Sequence, residues 1–261
     1  MKMSFLKVEF YRMLVSRTFW LSVAGIFAVL LMVDYIAPNG EDLVFQYHID
    51  KYYTLFIAVF AFSNLAYAQS LREDDEHKYW QCIMVRGRWK GYIRARIIMC
   101  FLSGVISLVL AHILYFLVVM LQKPLLLEGG QSLSMSEYSS FYSVIENGHA
   151  FLYLVLLSVW LGLFGGVIAL FSMYLTVIAG NRMFSVCIPL AGYYFLSEYV
   201  GKIAENTVFF NLNAIYFYAR KAFENTWLSI GYTLGLTCLF CWILGMLMAR
   251  RMSRRMKGEI V

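Results

Sequence analysis

Six stretches of this chain are apolar over nearly the whole length that a helix needs to cross a lipid bilayer. They run from Phe19 to Ile36, Tyr52 to Leu71, Ile97 to Leu121, Phe151 to Ile178, Phe184 to Tyr199 and Trp227 to Ala249. A hydrocarbon layer about 30 Å thick takes about 20 helical residues. In lipid the backbone must satisfy its own hydrogen bonds, and continuous apolar runs of this length do so as helices. The fifth stretch is short and contains Pro189, which removes an amide donor and is expected to kink it. Of 261 residues, 61% are hydrophobic and 15% charged, more apolar surface than one aqueous core would hide. Only three prolines and no low-complexity stretch occur, so neither a linker nor a second domain is expected. The expected fold class is an all-α membrane protein: one transmembrane domain, residues 1–261, with six transmembrane helices.

Lysine and arginine set the orientation. Lys2, Lys7, Arg12 and Arg17 precede the first span, and Arg72, Lys78, Arg86, Arg88, Lys90, Arg94 and Arg96 join the second to the third. Arg182 separates the fourth from the fifth, and Arg250, Arg251, Arg254, Arg255 and Lys257 follow the sixth. The opposite side has only Lys51, Lys123, Lys202, Arg220 and Lys221. By the positive-inside rule the richer side is cytoplasmic, and both termini are expected there. The formal charge of +6 therefore belongs to the membrane edges. Its expected partner is the lipid membrane, through anionic headgroups, and no nucleic acid is expected. The first apolar run starts only at Phe19 and no small-x-small site follows it, so no cleavable signal peptide is expected. Cys82, Cys100, Cys187, Cys238 and Cys241 fall in spans or on the cytoplasmic side and read as free thiols. Cys238 and Cys241 have CxxC spacing but sit in an apolar helix without further ligands, which reads as packing.

Before the first span, Met3, Leu6, Phe10, Met13 and Leu14 recur at helical spacing, while Lys7, Glu9, Arg12 and Ser16 face elsewhere. Residues 1–18 are expected to form an amphipathic elbow helix in the cytoplasmic interface, the alternative being an extension of the first span. The cytoplasmic segment 72–96 is unusually long for a connection between spans. An acidic run, Glu73 to Glu76, leads into His77-Lys78-Tyr79-Trp80, then Gln81 to Val85, then Arg86-Gly87-Arg88. Tyr79, Trp80, Ile83 and Met84 are thereby placed near water, which fits a docking element for a partner protein. The alternative is an interfacial hairpin with its aromatics in the headgroup layer.

Outside the membrane, residues 37–51 and 122–149 read as polar loops of net negative charge. Residues 200–226 differ, because Val208-Phe209-Phe210 and Ala214 to Tyr218 are too apolar for a solvated loop and too interrupted for a crossing. One or two short external re-entrant helices between spans five and six are expected. Such backbone survives only when packed on protein or lining a cavity.

Catalytic motifs are absent. The one Gly-Lys pair, Gly201-Lys202, is followed by Ile203 and lacks the Walker A spacing, so the chain is not expected to hydrolyse ATP. His48, His77, His112 and His149 are scattered with no His-Glu-x-x-His, and no metal site is expected. His112 alone lies mid-membrane, where an ionisable residue is a functional candidate; the alternative is a neutral histidine bonded to a neighbouring helix. Asn64 and Gln69 in the second span, with Ser158 and Ser172 in the fourth, line a polar pathway or hold helices together, and both readings stand. Gly162 with Gly166, and Gly231 with Gly235, have the Gly-x-x-x-Gly spacing of close helix packing.

The layout resembles the permease subunits of type-2 ATP-binding-cassette (ABC) exporters. The resemblance covers the whole chain as architecture: elbow helix, six spans, cytoplasmic ends, a coupling segment between spans two and three, and apolar external helices before the last span. Locally, Glu73 to Glu76, Lys78 to Val85, Arg86-Gly87-Arg88 and Arg94-Ala95-Arg96 look like the family's series of acidic start, helix, turn and basic third span. The Pro-x-Ser-Arg form of the turn is missing, and Arg88 alone matches it. The resemblance implies that residues 73–88 form a coupling helix meeting a separate cytoplasmic ABC ATPase subunit. In that arrangement Tyr79, Trp80, Ile83 and Met84 are the apolar contacts, and Glu76, Lys78, Arg86 and Arg88 the polar rim. ATP and Mg would be held by the partner ATPase, with no cofactor on this chain. It further implies a second permease subunit, as homodimer or heterodimer, a bacterial plasma membrane, and export of a peptide or amphipathic substrate. The alternative is a stand-alone membrane immunity or sensor protein acting by binding without transport, which would not need the long cytoplasmic segment. An intramembrane enzyme lacks converging catalytic residues. A proton-coupled carrier would need acids within the bilayer, whereas Asp34 and Glu198 lie at the outer ends of spans.

Overall fold

The computed structural model describes residues 5–36, 42–51, 54–68, 70–76, 89–127, 131–179, 182–195, 211–217 and 219–256. Among them every regular element is a helix. Four are long and apolar enough to cross a membrane: α2 (Arg17–Ile36), α6 (Trp89–Val119), α9 (Ala150–Ala179) and α12 (Thr226–Met256). They coincide with four of the six predicted spans. Ahead of them runs α1 (Phe5–Val15).

The second predicted span is broken. A 3-10 turn at Thr54–Phe56 leads into the nine-residue α4 (Ile57–Leu65), and α5 (Ser70–Glu76) follows after a tight turn. In that turn Ala66 N bonds to Ser63 O at 3.3 Å and Ser70 N to Tyr67 O at 3.1 Å, the i to i+3 pattern that ends an α-ladder. Side chains of α2 serve carbonyls at the break. Ser22 Oγ donates to Phe62 O, and Thr18 Oγ1 donates to Ala66 O at 3.3 Å. A break in lipid is tolerated when such neighbours re-satisfy the backbone.

The fifth predicted span is α10 (Arg182–Phe195), whose 14 residues include Pro189. At 1.5 Å per residue it is about 21 Å long, short of a full crossing. Proline at 189 has no amide to offer the carbonyl four residues back, that of Ser185. Ser172 of α9 supplies the missing donor, its Oγ reaching Ser185 O at 2.5 Å. Ser172 thus joins two helices at the proline.

α9 is the centre of the molecule: 72% of its apolar window is buried by protein, against 11% for α12 at the periphery. It lies closest to α6, and glycine makes the approach possible. A Cβ on Gly104 would meet Gly165 O and Gly166 Cα at 3.0 Å, and one on Gly162 would meet Val105 O at 3.2 Å. Phe56, Phe60, Phe164, Tyr193, Tyr216 and Phe217 form one aromatic cluster. Its rings include the stacked pairs Tyr193–Phe217 at 5.5 Å and Phe164–Tyr216 at 5.1 Å.

That cluster seats α11 (Leu212–Tyr216), the described part of the segment predicted to be re-entrant, and Ile215, Tyr216 and Phe217 are buried. The negative loop expected over 37–51 is instead a buried helix in its described part, α3 (Leu43–Asp50). Asp42 caps it, accepting from Phe45 N at 2.7 Å and from Leu127 N at 3.1 Å. The 122–149 connection likewise holds two short helices, α7 (Gln131–Ser136) and α8 (Tyr142–Glu146). Its backbone meets that of the last connection: Ser140 N bonds to Ala219 O at 2.7 Å and Lys221 N to Tyr138 O at 3.0 Å.

Candidate functional site

At the end of the molecule where the basic residues gather, Arg96 is fully buried and joins three helices. Tyr92 and Arg96 stand four residues apart on one face of α6. The guanidinium lies 5.2 Å from the Tyr92 ring centroid and 5.4 Å from that of Tyr67, so both rings shield it from lipid. Nη1 pairs with Glu9 of α1 at 2.9 Å and donates to Tyr67 Oη at 2.6 Å. Nη2 pairs with Asp74 of α5, and Nε donates to Tyr92 Oη at 3.2 Å. The hydroxyls of Tyr67 and Tyr92 donate in turn to Glu9 and Asp74. Half-buried Arg12 completes the group, 2.8 Å from the other Asp74 oxygen.

Two cations and two carboxylates thus balance, with the planar fork of Arg96 bonded on several edges, which a lysine head cannot reproduce. The cluster's bonds are ion pairs and hydrogen bonds between helices. It ties α1 and α6 to α5, the root from which the chain enters residues 77–88. Among the described residues no three histidines, cysteines or carboxylates gather as for a metal.

Sequence reasoning placed Glu9 on the face of α1 turned away from the apolar stripe and Asp74 in a solvated acidic start. Both are buried at 3% exposure, while Leu6, Phe10 and Leu14 are exposed from the protein at 36–42%. Met13 of the same stripe is fully buried, so α1 turns Leu6, Phe10 and Leu14 outward and packs Met13 and Glu9 against the protein. Nothing in the sequence sets Arg96 apart from the other cations ahead of the third span; its burial follows from contacts with distant parts of the chain.

Of the residues expected to contact an ATPase, Lys78, Tyr79, Trp80, Ile83, Met84, Arg86 and Arg88 lie outside the described residues, as does Gln69; Glu76 ends α5. Asn64 is fully buried on α4, and neither atom of its amide has a hydrogen-bond partner among the described residues. His112 is buried on α6, Nδ1 bonded to Leu108 O at 2.8 Å and the ring set edge-on to Tyr47 at 5.6 Å between centroids. Its Nε2 has no partner among the described residues, and no hydrogen bond among them joins it to Asn64. Gly162 and Gly166 face α6, whereas a Cβ on Gly231 or Gly235 would meet nothing within 4 Å. Cys238 is exposed and Cys241 partly so, because little protein surrounds α12.

A second polar group lies at the opposite end, in and around α3. Asp50 is fully buried and accepts from Gln46 Nε2 at 2.7 Å and Tyr115 Oη at 3.0 Å. Lys51 Nζ donates to Phe217 O at 2.5 Å and lies 4.0 Å from the Tyr47 centroid. Lys123 pairs with Asp34 at 2.9 Å and reaches Gln46 Oε1 at 3.3 Å. Burial pushes the Asp50 carboxyl up from 3.8 to about 7, against the hydrogen bonds from Gln46 and Tyr115. Between those pH values the folded protein holds a proton there that the unfolded chain has lost, so this contribution to stability falls as pH rises through the window. Burial holds His48 neutral down to about pH 4, against an ordinary 6.5, which acts with the opposite sign below 6.5. Burial lowers the Lys51 ammonium to about 7, and its effect lies above that pH. Asp50→Asn removes the first effect and also withdraws the charge that supports the neighbouring Lys51 ammonium. The variant should gain on the parent as pH rises from about 4 to 7, by up to about 1.4 kcal/mol per pH unit. Unfolding midpoints of both proteins across that range test this, and a constant difference would contradict it.

Comparison of the chain with protein-family models, with curated proteins and with solved structures finds no match.

Proposed function

We propose that the chain is the transmembrane permease subunit of an ATP-driven exporter whose ATPase is a separate cytoplasmic protein. The Arg96 cluster carries the reading. A segment that receives motion from an ATPase must be rigidly joined to the spans it moves, and the root of 77–88 is bonded to α6 and α1 through buried charges. In this reading α4 and α10, together with chain beyond their described ends, complete six crossings, and α1 is the elbow helix in the cytoplasmic interface. Residues 73–88 dock on the ATPase through Tyr79, Trp80, Ile83 and Met84, rimmed by Glu76, Lys78, Arg86 and Arg88. Closure of the ATPase dimer then tilts α6 and α1 as one body between inward- and outward-open arrangements. A second permease subunit encloses the path, and the open glycine face of α12 at Gly231 and Gly235 is available to it. The cargo class is a peptide or amphipathic molecule.

Affinity purification from the native membrane in mild detergent, with co-purifying chains identified, tests the reading. An ABC ATPase should be recovered with the parent and lost with the Tyr79→Ala/Trp80→Ala variant. An intact parent that brings down no ATPase would sink the proposal and favour a stand-alone immunity or sensor protein.

A further inference from the structure

Asn64 and His112 are both 0% exposed, yet both atoms of the Asn64 amide and Nε2 of His112 lack a hydrogen-bond partner among the described residues. The His112 tautomer is fixed. Its Nδ1 faces the carbonyl oxygen of Leu108, which can only accept, so Nδ1 carries the proton and Nε2 is a bare acceptor. Buried serines of α9 differ: Ser158 donates to Leu154 O at 2.8 Å and Ser172 to Ser185 O at 2.5 Å. An unpaired polar group in a dry interior is costly, so Asn64 and His112 both favour an arrangement in which water reaches them.

One face of a short helix runs between the two. Phe56, Phe60 and Asn64 follow one another at four-residue spacing through the 3-10 turn and α4. Phe56 lies 6.5 Å from the His112 ring, and Phe60 packs on Phe164, Tyr193 and Phe217 at 5.3–5.6 Å between centroids. Elsewhere α4 is held by α2: Ser22 donates to Phe62 O, and a Cβ on Gly25 would run into the Phe62 ring. Towards α6, α9 and α10, no hydrogen bond from α4 crosses among the described residues. Both ends of α4 are breaks in the α-ladder, the 3-10 turn at Thr54–Phe56 and the turn that bonds Ala66 and Ser70, as in a hinged segment.

We infer that α4, moving with α2, opens this face to water: His112 and Asn64 line one crevice within the chain, closed in this structure by Phe60 and the three rings packed on it. Of the two readings of Asn64, helix glue requires a bond to another helix, and Asn64 has none among the described residues. A crevice of this kind lies inside one chain and needs neither an ATPase nor a second subunit.

Asn64→Leu in the full chain separates the two readings by stability. With no bond to lose and a stranded amide removed, its thermal midpoint in mild detergent should rise above the parent's; a midpoint that falls or stays put would overturn the inference. Water entry is read in membrane fragments open on both faces, using a charged, water-soluble methanethiosulfonate and chains that carry a single cysteine. Asn64→Cys and His112→Cys are the probes, each leaving the other polar residue in place. Native Cys100, fully buried and bonded across to Ala169 O of α9, is the reference. Both probes should react at least roughly ten-fold faster than Cys100, and at about 0.1–10% of the rate of free cysteine, the population range of a minor state. Adding Asn64→Leu to the His112→Cys chain should slow that probe several-fold, because both residues line the same opening. Probes no faster than Cys100, or a His112→Cys rate indifferent to Asn64→Leu, would sink the idea. So would a Cys100 as reactive as the probes, which would report general loosening of the fold.

Discussion

Arg96→Met is expected to lower stability by about 3–5 kcal/mol, the cost of removing one partner from a buried ion group. Among the described residues, Glu9 and Asp74, each 3% exposed, would be left with Arg12 as their remaining ion-pair cation, and Arg12 pairs with Asp74. The hydroxyl oxygens of Tyr67 and Tyr92 would lose the N–H donors that Arg96 now supplies to them. Unfolding in mild detergent, followed by tryptophan fluorescence, measures the loss. A change below about 1 kcal/mol, the range of exposed pairs, would show that water reaches the group. The triple variant Arg96→Met/Glu9→Gln/Asp74→Asn should recover most of the loss, because the neutralised buried groups carry no charge and Arg12, which loses its acid, is 37% exposed and can reach water. It also separates two roles. On the exporter proposal, charges that only stabilise would leave the triple variant transporting, whereas charges that transmit force would leave it folded and bound to an ATPase but uncoupled.

Gly104→Leu should be at least as damaging as the upper end of ordinary overpacking, about 3 kcal/mol. The first added carbon would lie 3.0 Å from the backbone of Gly165 and Gly166, and backbone cannot rotate out of the way. The opposing helix is closed from its own side as well, since a Cβ on Gly166 would meet Phe101 O at 2.9 Å. α6 and α9 would have to separate along their whole contact, opening the most buried interface in the protein. Gly231→Leu is the matched control, because the space beside it is open within one chain. Its effect on the monomer should stay within about 0.5 kcal/mol. Thermal unfolding of the two variants side by side checks both statements, and equal midpoints would show that the α6–α9 approach does not limit stability.

Four spans could be read from the sequence because length and apolar content alone decide them. The break after Leu65 could not, since the stretch stays apolar to Leu71 and the carbonyls at the break are served by Ser22 and Thr18 of another helix. α3 was hidden for a related reason. Its acids look solvated until Tyr115 and Lys123, far along the chain, are brought beside them. In α1 the periodicity was plain but its sense was not, because a helical stripe says which residues share a face and not whether protein or lipid lies against it. Paired glycines drew attention to α9 and α12 alike. Only contact distinguishes them, and the partner that closes on Gly166 of α9 is Gly104, which stands in no paired motif. Of the candidate site, Arg96 read as one more cation ahead of the third span, and Glu9 and Asp74 acquire meaning only beside it.

The Arg96 cluster also has a direction in time. Glu9 is synthesised first, Asp74 next and Arg96 last. Until α6 has been made, α1 carries an acid on the side meant for protein and has no guanidinium to receive it. Docking of the first helix is therefore completed only when the third long hydrophobic segment arrives. α1, made before both of the elements it pairs with, is among the last to find its place, and the nascent protein has to keep Glu9 in water until then.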